Sequence, residues 1–321
     1  MNADTAIYLN DPAAAGAWRR GIPANAGAVV VITGTFDILQ PGNLAALQQA
    51  AARGGSLVIV AEDAGAAPSQ AARGGPAYSL SDRLACLSLL KHVAAVIPGR
   101  PAEAPALFQA LAPFTWVGCP LPGDGPVSET AARLAENTNP LTFLPGCRTA
   151  DIGAAIRQGT TPITLPSLAD ETSLPIPGRG PAPNATVNGC FDVLHLGHYR
   201  FLSQAAALAG PVTLLINSDA SIRRYKGADR PVFPFPFRRA ALLAMRSVAT
   251  VYPFDEDEPL ALLAMLKPPL HIKGGSREPE RVRHEEALLK SWGGRVAFCP
   301  LEEGYSTSAY LDQIRQRTTR P

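Results

Sequence analysis

The chain has 321 residues, of which 46% are hydrophobic and 17% are charged, so it can form about two domains that each bury a core. Its 29 basic and 27 acidic residues give a formal net charge of +2, which argues against bulk binding of nucleic acids or membrane surfaces. Its five cysteines include no Cys-x-x-Cys pair, which argues against a disulfide framework and a structural zinc site. We therefore expect a cytoplasmic protein.

Short apolar runs alternate with helical patterns, most clearly in the second half of the chain. Strands are predicted at residues 185–188, 212–217, 250–252, 270–273 and 295–299. Helices are predicted between and after these strands, at residues 198–208, 237–245, 260–267 and 279–292 and from residue 306. Strands that alternate with crossover helices predict an α/β fold with a parallel sheet, in which ligands bind beyond the carboxyl ends of the strands.

The chain contains an internal duplication. Residues 34–43 read Gly-Thr-Phe-Asp-Ile-Leu-Gln-Pro-Gly-Asn, and the segment 155 positions later reads Gly-Cys-Phe-Asp-Val-Leu-His-Leu-Gly-His. The same shift pairs Arg83 with Arg238 and Pro98 with Pro253. One register held across these distant segments predicts two copies of one fold.

A proline-rich segment separates the two copies. Residues 161–183 hold six prolines, which predicts a semi-rigid extended linker. The domains are accordingly predicted at residues 26–160 and 184–321.

The duplicated motif has chemically active side chains in its second copy. Gly189 ends a strand where backbone can approach a ligand, and Gly197 opens a helix whose free N–H groups favour an anion. His195 and His198, three positions apart, can both face a phosphate bound there. As imidazolium ions they would stabilise charge that develops on a phosphoryl group.

Further blocks follow the motif in order, among them Lys226-Gly227, Arg230-Pro231, Lys273-Gly274-Gly275 and Ser306-Thr307-Ser308. With these blocks, residues 184–317 resemble the nucleotidyltransferase superfamily that shares its His-x-Gly-His motif with class I aminoacyl-tRNA synthetases. More narrowly, they resemble the adenylyltransferase domain of bacterial ADP-heptose synthases. The resemblance implies two tandem Rossmann-like nucleotidyltransferase domains with parallel sheets, which we expect to be arranged as a pseudo-dimer.

The resemblance also implies the reaction and the partners. The enzyme would join the nucleoside monophosphate of an NTP to a sugar 1-phosphate and release pyrophosphate, with ATP and heptose 1-phosphate as the leading hypothesis. Mg²⁺ would accompany the NTP. We expect no nucleic-acid or membrane partner, and either a monomeric pseudo-dimer or a homodimer.

Individual roles follow from the same resemblance. The expected catalytic residues are His195, His198 and Lys226, with Lys226 on a loop after the second strand. The expected nucleotide-binding residues are Gly189, Cys190, Phe191, Gly197, Lys273, Gly274, Ser306, Thr307 and Ser308. The expected substrate-binding residues are Asp192, Asp219 and Arg238, with Arg238 holding the acceptor's phosphate. No residue is assigned as a direct metal ligand.

The first copy has lost these groups. Gln40 and Asn43 stand in place of the two histidines, and Gly118 replaces Lys273. Amides donate hydrogen bonds but carry no charge. We therefore expect a catalytically silent copy that serves as a structural partner, with a regulatory nucleotide site as the alternative.

Two other functions stay open from the sequence. One is a CTP-dependent cytidylyltransferase for glycerol 3-phosphate or phosphoethanolamine, since those enzymes share the same motifs. The other is a non-catalytic nucleotide-binding scaffold. The acceptor is open as well, because Ser276 stands where the heptose branch has an aspartate.

Overall fold

The computed structural model describes residues 5–23, 25–37, 41–63, 78–118, 126–140, 177, 182–275, 279–308 and 311–312. These residues form two compact units, each with its own parallel sheet. The linker predicted at residues 161–183 lies outside the described residues, apart from Pro177 and the two residues 182–183.

The first unit contains a six-stranded sheet. Its strands are β1 (Ile7–Tyr8), β2 (Val29–Gly34), β3 (Ser56–Glu62), β4 (Val93–Gly99), β5 (Phe114–Gly118) and β6 (Asn137–Pro140). Its helices are α1 (Pro12–Arg20), α2 (Pro41–Ala51), α3 (Leu80–Ser88), α4 (Ala104–Leu111) and α5 (Pro126–Leu134). The strands lie in the order β1-β4-β3-β2-β5-β6, and all neighbours are parallel.

The second unit contains a five-stranded sheet. Its strands are β7 (Thr186–Gly189), β8 (Val212–Asn217), β9 (Val248–Phe254), β10 (Leu270–Gly274) and β11 (Arg295–Cys299). Its helices are α6 (Leu196–Ala209), α7 (Asp219–Lys226), α8 (Phe235–Leu243), α9 (Leu260–Leu266) and α10 (Pro279–Lys290). The strands lie in the order β11-β10-β7-β8-β9, again parallel throughout.

The predicted fold class is confirmed. Both units alternate strands with helices, and β4-β3-β2-β5-β6 repeats the order β9-β8-β7-β10-β11, as a duplication requires. The first sheet has one extra edge strand, β1, which pairs with β4 and precedes the predicted domain start at residue 26. Among the described residues, no helix has both the length and the apolar character needed to cross a bilayer.

The central strands explain why these sheets are buried. β3 and β8 are almost continuous apolar runs, because helices cover both faces of a parallel sheet. Polar residues appear where these strands end, at Glu62 in β3 and Asn217 in β8. The carboxyl edge of each sheet is therefore the polar edge, where a parallel α/β fold binds its ligands.

A buried arginine joins the first two strands of the second unit at this edge. Arg238, which is 1% exposed, donates to the backbone carbonyl of Cys190 at 2.6 Å and of Asn217 at 2.8 Å. Its Nε also donates to the carbonyl of Phe233 at 3.1 Å. One guanidinium thus supplies donors to three buried or half-buried carbonyls of the site-bearing edge.

The first unit repeats this arrangement at equivalent positions. Arg83 is 3% exposed and donates to the carbonyls of Thr35, Glu62 and Tyr78. The duplication therefore preserves a complete set of backbone hydrogen bonds and the arginine that makes it.

An aspartate is preserved in the same way. Asp192 Oδ1 accepts a hydrogen bond from the Phe233 amide at 3.0 Å, and Asp37 Oδ1 accepts one from the Tyr78 amide at 2.9 Å. Both bonds hold the chain that leads into the helix of the buried arginine. This contact belongs to the fold of either copy.

We expect Arg83→Met and Arg238→Met to destabilise their own units by about 3 kcal/mol each, because each change leaves buried carbonyls without donors. Chemical denaturation of the full chain, with fluorescence and circular dichroism as probes, measures both effects. Arg53→Met, at an exposed arginine of the first unit, is the control. Unchanged unfolding midpoints for Arg83→Met and Arg238→Met would contradict a structural role for these arginines.

Candidate active site

The two motif histidines lie side by side at the start of α6. His195 is the N-cap residue of the helix, and its ring centroid lies 3.7 Å from that of His198. The His195 backbone amide donates to His198 Nδ1 at 3.4 Å, so the neutral His198 ring carries its proton on Nε2. Gly197 makes room for this pair, since a Cβ there would lie 3.1 Å from both His195 Nδ1 and Tyr305 Cβ.

A cavity of about 490 Å³ opens beside the histidine rings, and we call it the basic cavity. It is lined by His195, Gly197, His198, Lys226, Arg230, Leu301, Glu302, Tyr305, Ser306, Thr307 and Ser308. The structure thus brings together seven of the residues predicted from the sequence: His195, Gly197, His198, Lys226, Ser306, Thr307 and Ser308.

Lys226 reaches this cavity from the end of a helix, and the prediction of a loop position is wrong. The α7 helix begins after Ser218, whose Oγ accepts from the Ser221 amide at 3.1 Å. It ends at Gly227, which adopts a φ of 102° that favours glycine. Lys226 is therefore held by helical backbone rather than by a free loop.

Arg230 is a site residue that is absent from the predicted set. Its side chain is 11% exposed, lines the basic cavity and donates from Nε to Asp192 Oδ2 at 2.6 Å. No described residue accepts a hydrogen bond from its two terminal nitrogens, which leaves them for a ligand. The signal was available in the sequence, because Gly75 stands at the equivalent position of the first copy.

Asp192, which was predicted to bind substrate, bonds protein groups in the structure. Its carboxylate is 1% exposed and holds the Phe233 amide and Arg230. Each oxygen therefore accepts a hydrogen bond from the protein. Asp192 positions Arg230 in the wall of the basic cavity.

Arg238 and Asp219, which were also predicted to bind substrate, bond each other in the structure. All three guanidinium nitrogens of Arg238 donate to protein oxygens, and one of them bonds Asp219 Oδ1 at 2.8 Å. Neither residue lines the basic cavity. Arg83 makes the equivalent backbone bonds in the copy that lacks the histidines, so the arginine serves the fold.

The turn that carries Gly189, Cys190 and Phe191 is likewise common to both copies. Phe191 has a φ of 46°, and its counterpart Phe36 has a φ of 49°. A Cβ on Gly189 would lie 3.0 Å from the Phe191 ring, so the lack of a side chain at residue 189 leaves room for the ring within the turn. Cys190 contributes its carbonyl to Arg238.

The three residues of the block 306–308 all line the basic cavity, but they differ in their contacts with the protein. Thr307 Oγ1 donates to the Val193 carbonyl at 3.2 Å, which ties the block to the loop before α6. Ser306 and Ser308 line the basic cavity next to it. The Thr307 hydroxyl therefore has a structural bond in addition to its place in the wall.

Burial keeps both histidines neutral in the ligand-free protein. It lowers the pKa of His195 to about 4. Burial, followed by the nearby His195 and Lys226, lowers the pKa of His198 well below 6.5. The expected imidazolium ions are thus absent at pH 7 until a ligand arrives, and Lys226 and Arg230 carry the positive charge. A bound phosphate would raise both pKa values.

A second cavity of about 900 Å³ lies at the carboxyl ends of β7, β8 and β10, and we call it the polar cavity. Its lining includes three predicted residues, Gly189, Lys273 and Gly274. Lys273 Nζ donates to Asn188 Oδ1 at 2.9 Å and to Glu285 Oε1 at 2.7 Å. Glu285 also lines this cavity and belongs to none of the motif blocks.

The equivalent region of the first unit is filled by protein. The Trp116 indole donates to Thr33 Oγ1 at 3.0 Å and is 3% exposed. A Cβ on Gly118, which stands in place of Lys273, would lie 2.1 Å from this ring. Glu62 Oε1 accepts from the backbone amide and the hydroxyl of Ser128. The Trp116 indole thus covers the position that corresponds to the lysine of the polar cavity.

We expect the free energy of unfolding to fall as the pH drops from about 6.5 to about 4. In this window the unfolded chain protonates His195 and the folded chain does not, so acid favours unfolding. Replacing His195 by Asn should reduce the dependence of the unfolding free energy on pH by up to about 1.4 kcal/mol per pH unit. Denaturation of the wild type and of the variant at a series of pH values measures this dependence. Above pH 7 the two proteins should show the same dependence, and the same dependence between pH 4 and 6.5 would contradict the lowered pKa of His195.

Comparison with known proteins identifies one family in both units. The family profile described as Cytidylyltransferase-like matches residues 31–118 and 186–307. The chain is 44% identical over 140 residues to a D-beta-D-heptose 1-phosphate adenylyltransferase of Bordetella bronchiseptica, which covers 43% of this chain and 86% of that protein.

Longer relatives match as well. The chain is 43% identical over 128 residues to the Bifunctional protein HldE of Geotalea uraniireducens and 38% identical over 127 residues to that of Coxiella burnetii. Each match covers 40% of this chain and 26% of the HldE protein, so the chain spans about a quarter of those relatives. With the paired histidines, the basic cavity and the parallel sheets in place, the chain belongs to the cytidylyltransferase-like family.

Proposed function

We propose that the second unit transfers the AMP group of ATP to a heptose 1-phosphate and releases pyrophosphate. The observation that carries this proposal is the basic cavity, in which His195, His198, Lys226 and Arg230 converge on one space. A reaction between two phosphorylated substrates requires such a concentration of donors. The choice of ATP and heptose rests on the Bordetella bronchiseptica relative, of which this chain covers 86%.

The chemistry requires no nucleophile from the protein. An ionised oxygen of the sugar phosphate attacks the α-phosphorus of ATP, and a new P–O bond forms. The bond between the α-phosphorus and the bridging oxygen breaks, and its electron pair leaves with pyrophosphate. Charge grows on the leaving group, where fixed cations and N–H donors stabilise it.

The residues of the basic cavity interact with the phosphates in two ways, according to their charge. Lys226 and Arg230 bring positively charged side chains to the triphosphate. His198 carries its proton on Nε2 and donates it in a hydrogen bond to a phosphoryl oxygen. The buried rings gain protons more readily once an anion lies beside them, so their help increases as the phosphates bind.

Mg²⁺ enters in this proposal as part of the substrate. Among the described residues no group of three or more His, Cys, Asp or Glu side chains could hold a metal ion. Mg²⁺ characteristically binds nucleotides through the triphosphate oxygens and keeps several waters. The ion neutralises phosphate charge when bound.

The first unit takes no part in catalysis in this proposal. Asn43 stands in place of His198, and Trp116 occupies the region that corresponds to Lys273. We propose that this unit is a structural partner of the active one.

Pyrophosphate release with Mg²⁺ tests the proposal when ATP, CTP, GTP and UTP are each combined with heptose 1-phosphate, glycerol 3-phosphate and phosphoethanolamine. We expect turnover with ATP and heptose 1-phosphate. Turnover with CTP and an alcohol phosphate would instead show that the protein is a cytidylyltransferase. Nucleotide binding without turnover in any pair would leave a scaffold.

Matched variants connect that activity to the second unit. His198→Ala should lower kcat by about 100-fold or more, because a donor to the reacting phosphates is lost. Asn43→Ala, at the equivalent position of the first unit, should leave kcat unchanged. Equal effects of the two variants would refute the assignment of catalysis to the second unit.

Arg230→Gln should lower kcat/KM by about 100-fold, because the basic cavity loses a bidentate phosphate donor. Arg230→Lys should recover part of the activity by restoring the charge. Steady-state kinetics together with calorimetric binding of pyrophosphate measures both. Arg223→Gln, at an exposed arginine of α7 outside both cavities, is the control. Activity equal to that of Arg223→Gln would exclude Arg230 from the site.

A further inference from the structure

The polar cavity contains a buried carboxylate with an unused oxygen. Glu285 is 3% exposed, and its Oε1 accepts from Lys273 Nζ at 2.7 Å. Its Oε2 is buried and accepts no hydrogen bond from a described residue. A buried acceptor without a donor is unfavourable, and a ligand in the cavity can supply that donor.

Lys273 holds this carboxylate, and His271 lies beside it. Lys273 is fixed on its other side by Asn188 Oδ1 at 2.9 Å. His271 is fully buried, with Nδ1 2.8 Å from Thr186 Oγ1 and Nε2 3.8 Å from Glu285 Oε1. Burial lowers the pKa of His271 to about 3, so the ring is neutral and Lys273 is the cation that faces Glu285.

The first unit indicates that this ion pair is not needed for the fold. Gly118 stands at the position of Lys273, and Trp116 stands at the position of His271. The indole fills the corresponding space, and the first sheet forms with the same strand order. The pair occurs in the unit that also contains the histidines, which connects it with ligand binding.

The charges of the polar cavity select the kind of ligand. Its wall carries three carboxylates, Asp257, Glu258 and Glu285, against the two cations Arg224 and Lys273. A phosphate would be repelled by that excess, whereas hydroxyl groups can donate to carboxylates and accept from lysine. Two sugars bring adjacent hydroxyls to this enzyme, namely the ribose of the nucleotide and the acceptor sugar.

We propose that Glu285 and Lys273 bind a pair of neighbouring sugar hydroxyls in the polar cavity. Glu285 Oε2 accepts from one hydroxyl, and Lys273 Nζ donates its third hydrogen to the oxygen of the other. This inference rests on the proposed function, which requires a sugar beside the basic cavity. It makes Glu285 a specificity residue that the motif blocks do not contain.

Calorimetric binding of ATP, 2′-deoxy-ATP, 3′-deoxy-ATP and heptose 1-phosphate to Glu285→Gln tests the proposal. We expect the variant to bind either ATP or heptose 1-phosphate about 10- to 100-fold more weakly, since a bond to a charged group is lost. If the ribose is the ligand, Glu285→Gln should bind at least one of the two deoxynucleotides with the same affinity as the wild type. If the acceptor is the ligand, ATP binding is unchanged.

Two further variants keep this test interpretable. Glu286→Gln changes a carboxylate one residue along α10 that lines neither cavity, and should bind every ligand as the wild type does. Glu285→Asp keeps the charge beside Lys273 and withdraws the oxygens, so it should fold normally and show the same selective loss. Thermal unfolding midpoints report the folding of each variant.

Affinities of Glu285→Gln and Glu285→Asp equal to those of Glu286→Gln would overturn the proposal. Equal losses for ATP and both deoxynucleotides, with heptose 1-phosphate unaffected, would also overturn it and assign Glu285 to the base. Binding needs no turnover, so a protein that binds both ligands without reaction would refute the proposed function and leave this test intact.

Discussion

The site depends on a single buried guanidinium that holds two strand ends together. Arg238 bonds the carbonyls that follow β7 and end β8, and thereby fixes the turn from which His195 and His198 begin their helix. Carbonyls at the end of a parallel strand have no further ladder partner, so an internal donor must satisfy them when water is excluded. Asp192 completes the arrangement, because its two oxygens hold the chain before α8 and orient Arg230.

The duplication separates the groups that maintain the fold from those that act on a ligand. Both copies keep the buried arginine, the aspartate and the glycine–phenylalanine turn, although one copy has amides in place of the histidines. A group retained in both copies is therefore explained by the backbone it supports. Arg230 and Lys273 have only glycine at the matching positions, so a backbone role common to both copies does not explain them.

Much of this could be predicted from the sequence, because alternating apolar runs and the repeated motif determine the parallel sheets and the turn that carries the histidines. The direction in which a long side chain points could not be predicted from the sequence. Arg238 was expected to face the ligand, but a sequence does not reveal the carbonyls buried behind it. Glu285 was missed for a related reason, since its neighbours Lys273 and His271 lie on a strand distant in sequence. The α7 helix was missed although Ser218 and Gly227 mark its ends.

The Trp116 indole constrains the evolutionary future of the first unit. A side chain could not return at residue 118 while that ring lies 2.1 Å from where its Cβ would be. Restoring a lysine there would first require a smaller residue at 116, and that intermediate would carry a cavity in its core without any gain in binding. The glycine at residue 118 would thus be hard to replace by lysine, because the order of substitutions that leads there passes through a less stable protein.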